Sequence, residues 1–274
     1  MPERNKADML LGKQTPVIDE YSPQVLFPIP RKEGRGNLGL DSAMPMAGAD
    51  LWHAYEMSWL DSKGKPVVRV GRFTIPSDSP NMVESKSFKL YLNSLNNTRF
   101  DDEAALRATI ERDLATTIGA EISLDLLDPA DPSLAGATLQ GQNLDSLDVS
   151  VGPREPGADM ILVDNARQLE ERLYSHLLRS LCPVTGQPDW ASVWLHYRGA
   201  ALDHAALLTY LIAYRQHQEF HEQCVERMFQ DIYHRCCPEF LHIQAFYTRR
   251  GGLDINPFRS TDPAATPLPR LNRQ

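Results

Sequence analysis

Apolar and polar positions along the chain fall into segments with two distinct periods. Residues 51–60 and 67–75 are apolar-rich runs of strand length, separated by Gly64 and Pro66 and closed by Pro76, which predicts a two-strand hairpin. Residues 85–95 and 101–118 then follow a helical period. In the second of these Leu106, Ile110 and Leu114 share one face, and Asp101, Asp102 and Glu103 suit the positive end of a helix. Residues 121–127 and 147–151 predict further strands. The same order returns later, with a strand at 191–198, helices at 203–214 and 221–233, and a strand at 240–248. Each helix pair breaks beside an aromatic residue, Phe100 or Phe220, with acidic residues close behind. The segment 168–181 is ambiguous: Leu169, Leu173, Leu177 and Leu181 recur at every fourth position, and propensity alone favours a helix.

Proline punctuates this pattern. Six of the 20 prolines lie in residues 1–45, four in 129–156 and four in 257–269. The expected organisation is an N-terminal arm (1–48), a first module (49–152) and a second module (153–274). A length of 274 residues allows each module its own core. The formal charge of −8 makes direct nucleic-acid binding a poor expectation, because such binding draws on phosphate neutralisation. An anionic ligand would need a local basic pocket. Cys182, Cys224, Cys236 and Cys237 contain no C-x-x-C pair, so neither a disulfide framework nor a zinc pattern is expected. The first fourteen residues hold no apolar stretch long enough for a signal peptide, and no run reaches a membrane span. A reducing cytoplasm is expected, with no membrane association.

Four segments carry candidate chemistry. Gly34-Arg35-Gly36-Asn37-Leu38-Gly39 matches the dinucleotide fingerprint, but Pro28 and Pro30 precede it where a buried strand is needed, so a mobile glycine-rich loop is expected. His217 to Val225 is dense in possible metal ligands. Val225 stands where a zincin needs histidine, although His217 and His221 could share a helix face. Cys182 lies among Pro183, Gly186 and Pro188, in a loop rather than a packed element, with Asp189 a possible acid partner. Glu84-Ser85-Lys86-Ser87 opens a helix that either binds a polar ligand or is simply capped, with Phe88 and Leu92 inward.

Glu84 to Tyr91, Cys182 to Trp190, Phe220 to Arg227 and Tyr247 to Pro257 together resemble the 7-cyano-7-deazaguanine reductases, nitrile reductases of queuosine biosynthesis, in their long two-module form. The resemblance spans roughly residues 10 to 260. It implies an α+β tunnelling fold, two tandem modules of antiparallel sheet with paired helices, in which 168–181 becomes a strand leading to the cysteine. It also implies a duplication. The first module keeps the Glu-Ser-Lys helix, the second keeps Cys182, Asp189 and the His-Glu pair, and one complete site forms where they meet.

The implied reaction reduces a nitrile to a primary amine with two NADPH. Cys182 would attack the nitrile carbon to give a thioimide, and Asp189 would relay protons. His221 would close the pocket. Glu84 and Glu222 would accept the donors of the guanine edge, with Val83 and Ser85 flanking Glu84. Ser85, Lys86, Arg250 and Gly251 match the NADPH positions, and no metal is implied. The partners expected are a small 7-deazaguanine substrate and a second copy of the chain in a homodimer. The rival classes are a zinc-dependent hydrolase like GTP cyclohydrolase on the same fold, and a catalytically silent purine-binding module.

Overall fold

The structure is a computed structural model that describes residues 18–40 and 42–274. The signal-peptide expectation for the first fourteen residues lies outside the described residues. The chain is α+β and its strand pairing is mainly antiparallel. In chain order the elements are β1 (Pro28–Pro30), α1 (Arg31–Leu38), β2 (Ala47–Leu60), β3 (Pro66–Pro76), β4 (Asn81–Val83), α2 (Ser85–Ser94), α3 (Glu103–Ile118) and β5 (Ser123–Leu127). Then come β6 (Gln142–Asn143), β7 (Val163–Ser175), β8 (Arg179–Leu181), β9 (Pro188–Leu202), α4 (His204–Ala213), α5 (His221–Cys236), β10 (Phe240–Tyr247) and β11 (Leu253–Ser260). Among the described residues they form two compact units, one of residues 18–34, 51–134 and 249–254, the other of 35–50, 135–248 and 255–274 without residue 41. Among the described residues no helix is long and apolar enough to cross a membrane.

In the first unit β3 lies between β2 and β5, and β1 pairs with β4. Helix α2 buries Phe88 edge-on against Trp52 and Phe73, with ring centroids 5.5 and 5.0 Å away. Such a geometry sets the positive ring edge against the negative face of its neighbour. The expected apolar face of α3 is present: Leu106, Ile110, Leu114 and Ile118 are all buried. Asp102 caps this helix by accepting from the Ala105 N–H, and Gly119 ends it in a left-handed conformation.

In the second unit the strand order is β11-β10-β9-β7-β6, with β8 on β9. Helices α4 and α5 bring Leu207, Leu211, Val225, Met228 and Ile232 onto Val193, Leu195 and Ile243 of the sheet. This unit also holds a buried ion network. Glu226 accepts from Arg35 and from Arg259, and Arg259 donates to Asp50.

The two units repeat one design. Helices α2 and α4 each have 10 residues, α3 and α5 each have 16. Tyr91 and Tyr210 stand at the same place in the first helix of each pair, Asp113 and Asp231 at the same place in the second, and each tyrosine hydroxyl donates to its aspartate at 2.7 Å. The hairpins correspond as well. Asp61 N–H donates to Lys65 and Cys182 N–H to Gln187, both at 2.9 Å, while Gly64 and Gly186 donate back to Asp61 and Cys182. Leu60 bridges Arg99, and Leu181 bridges Gln218, each just ahead of the second helix of its pair.

The strand that the resemblance implies over 168–181 is present as β7 and β8, while other expectations need correction. The leucines of 168–181 lie on β7, β8 and the bend between them. A spacing of four is one helical turn and also two strand repeats, so it keeps one face in either element. Pairing to β9 from Gln168 to Ser175 decides for the strand. Residues 147–151 form no strand; the pairing in that region is β6 with β7, and Leu147 packs on the core from a turn. The glycine-rich segment is mostly helix α1 rather than a loop, held by Arg31 on Ser79 and by Arg35 on Glu226. Strand β11 was not anticipated, because Pro257 argues against an interior strand.

Candidate active site

Strands β8 and β9 form a short hairpin whose turn holds the candidate nucleophile. Ser180 pairs with Asp189 and Leu181 with Pro188, and the Cys182–Gln187 hydrogen bond carries the pairing one step further. Alternation along a strand puts Ser180 and Cys182 on one face, and Asp189, opposite Ser180, shares it. Cys182 and Asp189 are therefore diagonal neighbours across the hairpin, at a separation that side chains can span. Both are buried, at 4% and 5% exposure. Trp190, the next residue, points to the other face and is partly exposed, with the Arg179 and Arg215 guanidinium groups each 5.3 Å from its ring.

The start of α5 is tied to this hairpin by the backbone, since the Leu181 N–H donates to the His217 carbonyl at 2.8 Å. That contact places the first residue of α5 over the cysteine face. His221 Nε2 lies 3.3 Å from Asp189 Oδ2, and the His221 ring stacks on Tyr247 with centroids 3.6 Å apart and planes 3° from parallel. His221 Nδ1 is buried without a hydrogen-bond partner among the described residues. Glu222 follows in the first turn and is buried. Its carboxylate sits near the positive end of the helix, where negative charge is favoured.

Glu219 and His217 flank this helix start. Arg227 grips Glu219 through two guanidinium nitrogens, and His217 bridges Glu219 and Glu155. Burial pushes the Glu219 carboxyl up, but hydrogen bonds from His217 and Arg227 outweigh it and leave the group below the usual range. Burial lowers His217, and its two carboxylate partners more than reverse that shift. His217 and His221 do not form an i, i+4 metal face, because α5 begins at His221 and His217 lies before the turn.

In the first unit Val83 ends β4 and Glu84 caps α2. The Glu84 carboxylate accepts from the backbone N–H groups of Lys86 at 3.3 Å and Ser87 at 2.6 Å, and it is buried. Burial raises this carboxyl, and those two N–H donors offset the rise only in part. Glu84 thus caps the helix, with Phe88 and Leu92 inward. A carboxylate offers about four acceptor sites, so the cap leaves capacity for further donors.

Arg250 and Gly251 lie in the turn that leads into β11. Arg250 and Leu253 exchange backbone hydrogen bonds around Gly251 and Gly252, whose φ values of 59° and 79° place both in the left-handed region. A Cβ on Gly251 would come within 2.7 Å of Lys89 Nζ, so the backbone of the turn is seated against an ammonium group of α2. Lys89, Asn93, Asn96, Glu56 and both glycines line a recess beside it. The bare backbone turn lies beside the Lys89 ammonium, which pairs with Glu56 at 3.4 Å, and its glycines leave room for a phosphate-bearing cofactor to approach the backbone.

The predicted residues thus fall into sets within each unit. Cys182, Asp189, His221 and Glu222 belong to the second unit, while Val83, Glu84, Ser85, Lys86, Arg250 and Gly251 belong to the first. Sequence reasoning assigned no role to Tyr247 or to the Glu219–Arg227 pair. The eight-residue spacing of that pair gives no helical-neighbour signal, and Tyr247 reads as an ordinary apolar strand residue.

Comparison with known proteins shows two family matches along the chain. Residues 17–126 match the family described as nitrile reductase, 7-cyano-7-deazaguanine-reductase N-term, and residues 188–266 match the family described as QueF-like protein. The protein named NADPH-dependent 7-cyano-7-deazaguanine reductase of Dechloromonas aromatica (strain RCB) is 53% identical over 260 residues, covering 94% of this chain and 92% of that one. The protein of the same name in Chromohalobacter salexigens is 51% identical over 278 residues, covering 100% of both. A solved structure, the archaeosine synthase QueF-Like in the apo form, is 16% identical with a TM-score of 0.30, covering 39% of this chain and 97% of that one. With relatives this similar over nearly their full length, the chain belongs to the 7-cyano-7-deazaguanine reductase family.

Proposed function

We propose that this protein is an NADPH-dependent nitrile oxidoreductase that reduces 7-cyano-7-deazaguanine to 7-aminomethyl-7-deazaguanine in queuosine biosynthesis. Its membership of the reductase family carries the assignment. The hairpin that sets Cys182 beside the Asp189–His221 pair supports it.

The chemistry follows from those groups. Cys182, as thiolate, adds to the nitrile carbon, and the nitrile nitrogen takes a proton to give a thioimide. Asp189 holds and returns that proton, a role typically worth about 10²- to 10⁴-fold in rate. Bound NADPH supplies a hydride, and two molecules are used for each amine. After the first reduction the carbon–sulfur bond breaks, which releases the thiolate and leaves an imine for the second. His221, bridged to Asp189, covers the reacting group and excludes water.

Glu222 and Glu84 accept the N–H and NH₂ donors of the base, with Val83 and Ser85 beside Glu84. A purine without those donors would leave a buried carboxylate unsatisfied, which gives selectivity. Ser85, Lys86, Arg250 and Gly251 hold the cofactor, and the Lys89-backed turn at Gly251 suits its phosphates. The family resemblance further supports tunnelling-fold modules over 49–152 and 153–274, a homodimer and a cytoplasmic location. The charge of −8 favours a free base over tRNA as substrate.

The direct test mixes protein, 7-cyano-7-deazaguanine and NADPH, and follows NADPH absorbance and product mass. Two NADPH consumed per amine formed is the expected result. No NADPH consumption, or ring-opening that depends on bound zinc, would overturn the assignment.

A further inference from the structure

One face of the β8-β9-β10 sheet gathers more than the nucleophile and its acid. Tyr247, the last residue of β10, pairs with Ala191 of β9. Asp189 lies two residues from Ala191 on the same strand, so it faces the same side as Tyr247. The backbone bond from Thr248 N–H to the Trp190 carbonyl, 2.8 Å, keeps the strands in register up to that point. Cys182, Ser180, Asp189 and Tyr247 therefore share one face. Helix α5 lays His221 over it, flat against Tyr247 and within 3.3 Å of Asp189.

The contact between rings is unusual in its closeness and parallelism. Tyr247 is fully buried and its backbone is fixed in the sheet, with its N–H donating to Asn256 Oδ1 at 3.0 Å, while its hydroxyl has no hydrogen-bond partner among the described residues. His221, by contrast, has only one polar contact among the described residues, through Nε2 to Asp189. A ring held through a single nitrogen can pivot about that contact. The flat Tyr247 surface removes this freedom.

We infer that Tyr247 is a positioning residue of the reduction, fixing the His221 imidazole so that Nε2 stays on Asp189 while Nδ1 remains uncommitted to the protein. The inference rests on the nitrile-reductase function proposed above. Tyr247 touches no reacting atom. It acts through His221, and what it supplies is a plane rather than a hydroxyl.

The test uses the full chain, first confirming turnover of the nitrile by the wild type. Tyr247→Phe keeps the stacked ring and is expected to hold kcat and the KM for the base within about twofold of wild type. Tyr247→Leu removes the plane and is expected to lower kcat about tenfold or more and to raise the KM for the base, since misplacing a catalytic group costs up to about 10²-fold. NADPH affinity, read separately by fluorescence titration, should not change. In the wild type the ring current of Tyr247 should also move the His221 ring-proton NMR signal upfield, with the signal assigned by its loss in His221→Gln. A folded Leu variant with wild-type kcat, a Phe variant as impaired as the Leu variant, or a His221 signal at an ordinary position would each overturn the inference. If the Leu variant does not fold, the Phe variant and the NMR shift still decide. If the wild type fails to reduce the nitrile, the proposed function falls, and the NMR shift still tests the stacked geometry.

Discussion

Asp61 occupies in the first unit the place that Cys182 occupies in the second: each donates its N–H across a hairpin at 2.9 Å and accepts from the glycine that ends the turn. The residue after the proline that opens each following strand differs too, Val67 in one unit and Asp189 in the other. At the helix starts, Glu103 and Ala104 stand where His221 and Glu222 stand. A common scaffold thus carries the nucleophile set in one copy only. The hairpin of the first unit is built on residues that cannot perform the addition.

This asymmetry predicts that Cys182→Ala abolishes turnover, by at least about 10³-fold, while retaining affinity for the base. Adding Asp61→Cys to that variant should restore nothing, because Val67 supplies no proton. Mass spectrometry of the wild type with the nitrile should show a covalent adduct that the Ala variant lacks. Full activity without the Cys182 thiol would sink the covalent mechanism.

The turn at Gly251 makes a second prediction. An L-residue at its φ of 59° costs about 1–2 kcal/mol, and the added Cβ would meet Lys89 Nζ at 2.7 Å. Gly251→Ala should weaken NADPH binding about tenfold, for a loss near 1.4 kcal/mol, and leave base binding unchanged. Calorimetric titration with each ligand reads the two effects apart. Equal losses for both ligands would mean that the turn has only a structural role.

Stability should depend on the buried Glu226. Its removal leaves Arg259, which has no exposure, without one of its two carboxylates, and breaking such a pair typically costs about 3–5 kcal/mol. Glu226→Ala should therefore lower the denaturant midpoint strongly. Burial raises the Glu226 carboxyl, but Arg259 and Arg35 outweigh it and hold the group below its ordinary value. An acid lowered on folding adds stability that is complete above the unfolded value and lost as pH falls through the folded one. Acid unfolding of the wild type should thus include this loss below about pH 4, and the Ala variant should lack it.

His242 has the opposite chemistry and a separate pH window. Burial, with His196 adding to the effect, lowers its pKa to about 4. The unfolded chain then binds a proton on this residue near pH 6.5 that the folded chain refuses, so stability falls as pH drops from about 6.5 to about 4. His242 packs between Trp194 and Phe258, with ring centroids 5.4 Å away in each case. His242→Phe should flatten that slope, by on the order of 2–3 kcal/mol across the window. An unchanged slope in denaturation at several pH values would assign the acid sensitivity elsewhere.

Much of this protein is readable locally. The face of Leu106, Ile110, Leu114 and Ile118, the Asp102 cap and the hairpin punctuated by Gly64 and Pro66 follow from periodicity and from the needs of chain ends. So do the two helix pairs and the presence of Cys182 in a turn. The four matched segments were enough to indicate the family. The choice between helix and strand for the leucines of 168–181 was not local, because a spacing of four satisfies both periods and only pairing with β9 separates them. Nor was the helix at the glycine-rich segment, whose Arg35 finds its partner Glu226 at a separation of 191 residues. The cysteine hairpin brings Asp189 beside Cys182 within a few residues, so sequence could suggest that pair. The stacking of Tyr247 on His221 joins a strand end to a helix start, and it exists only because β10 and α5 meet on one sheet face. Local chemistry determined which residues could react. Packing between distant elements decided how they are held.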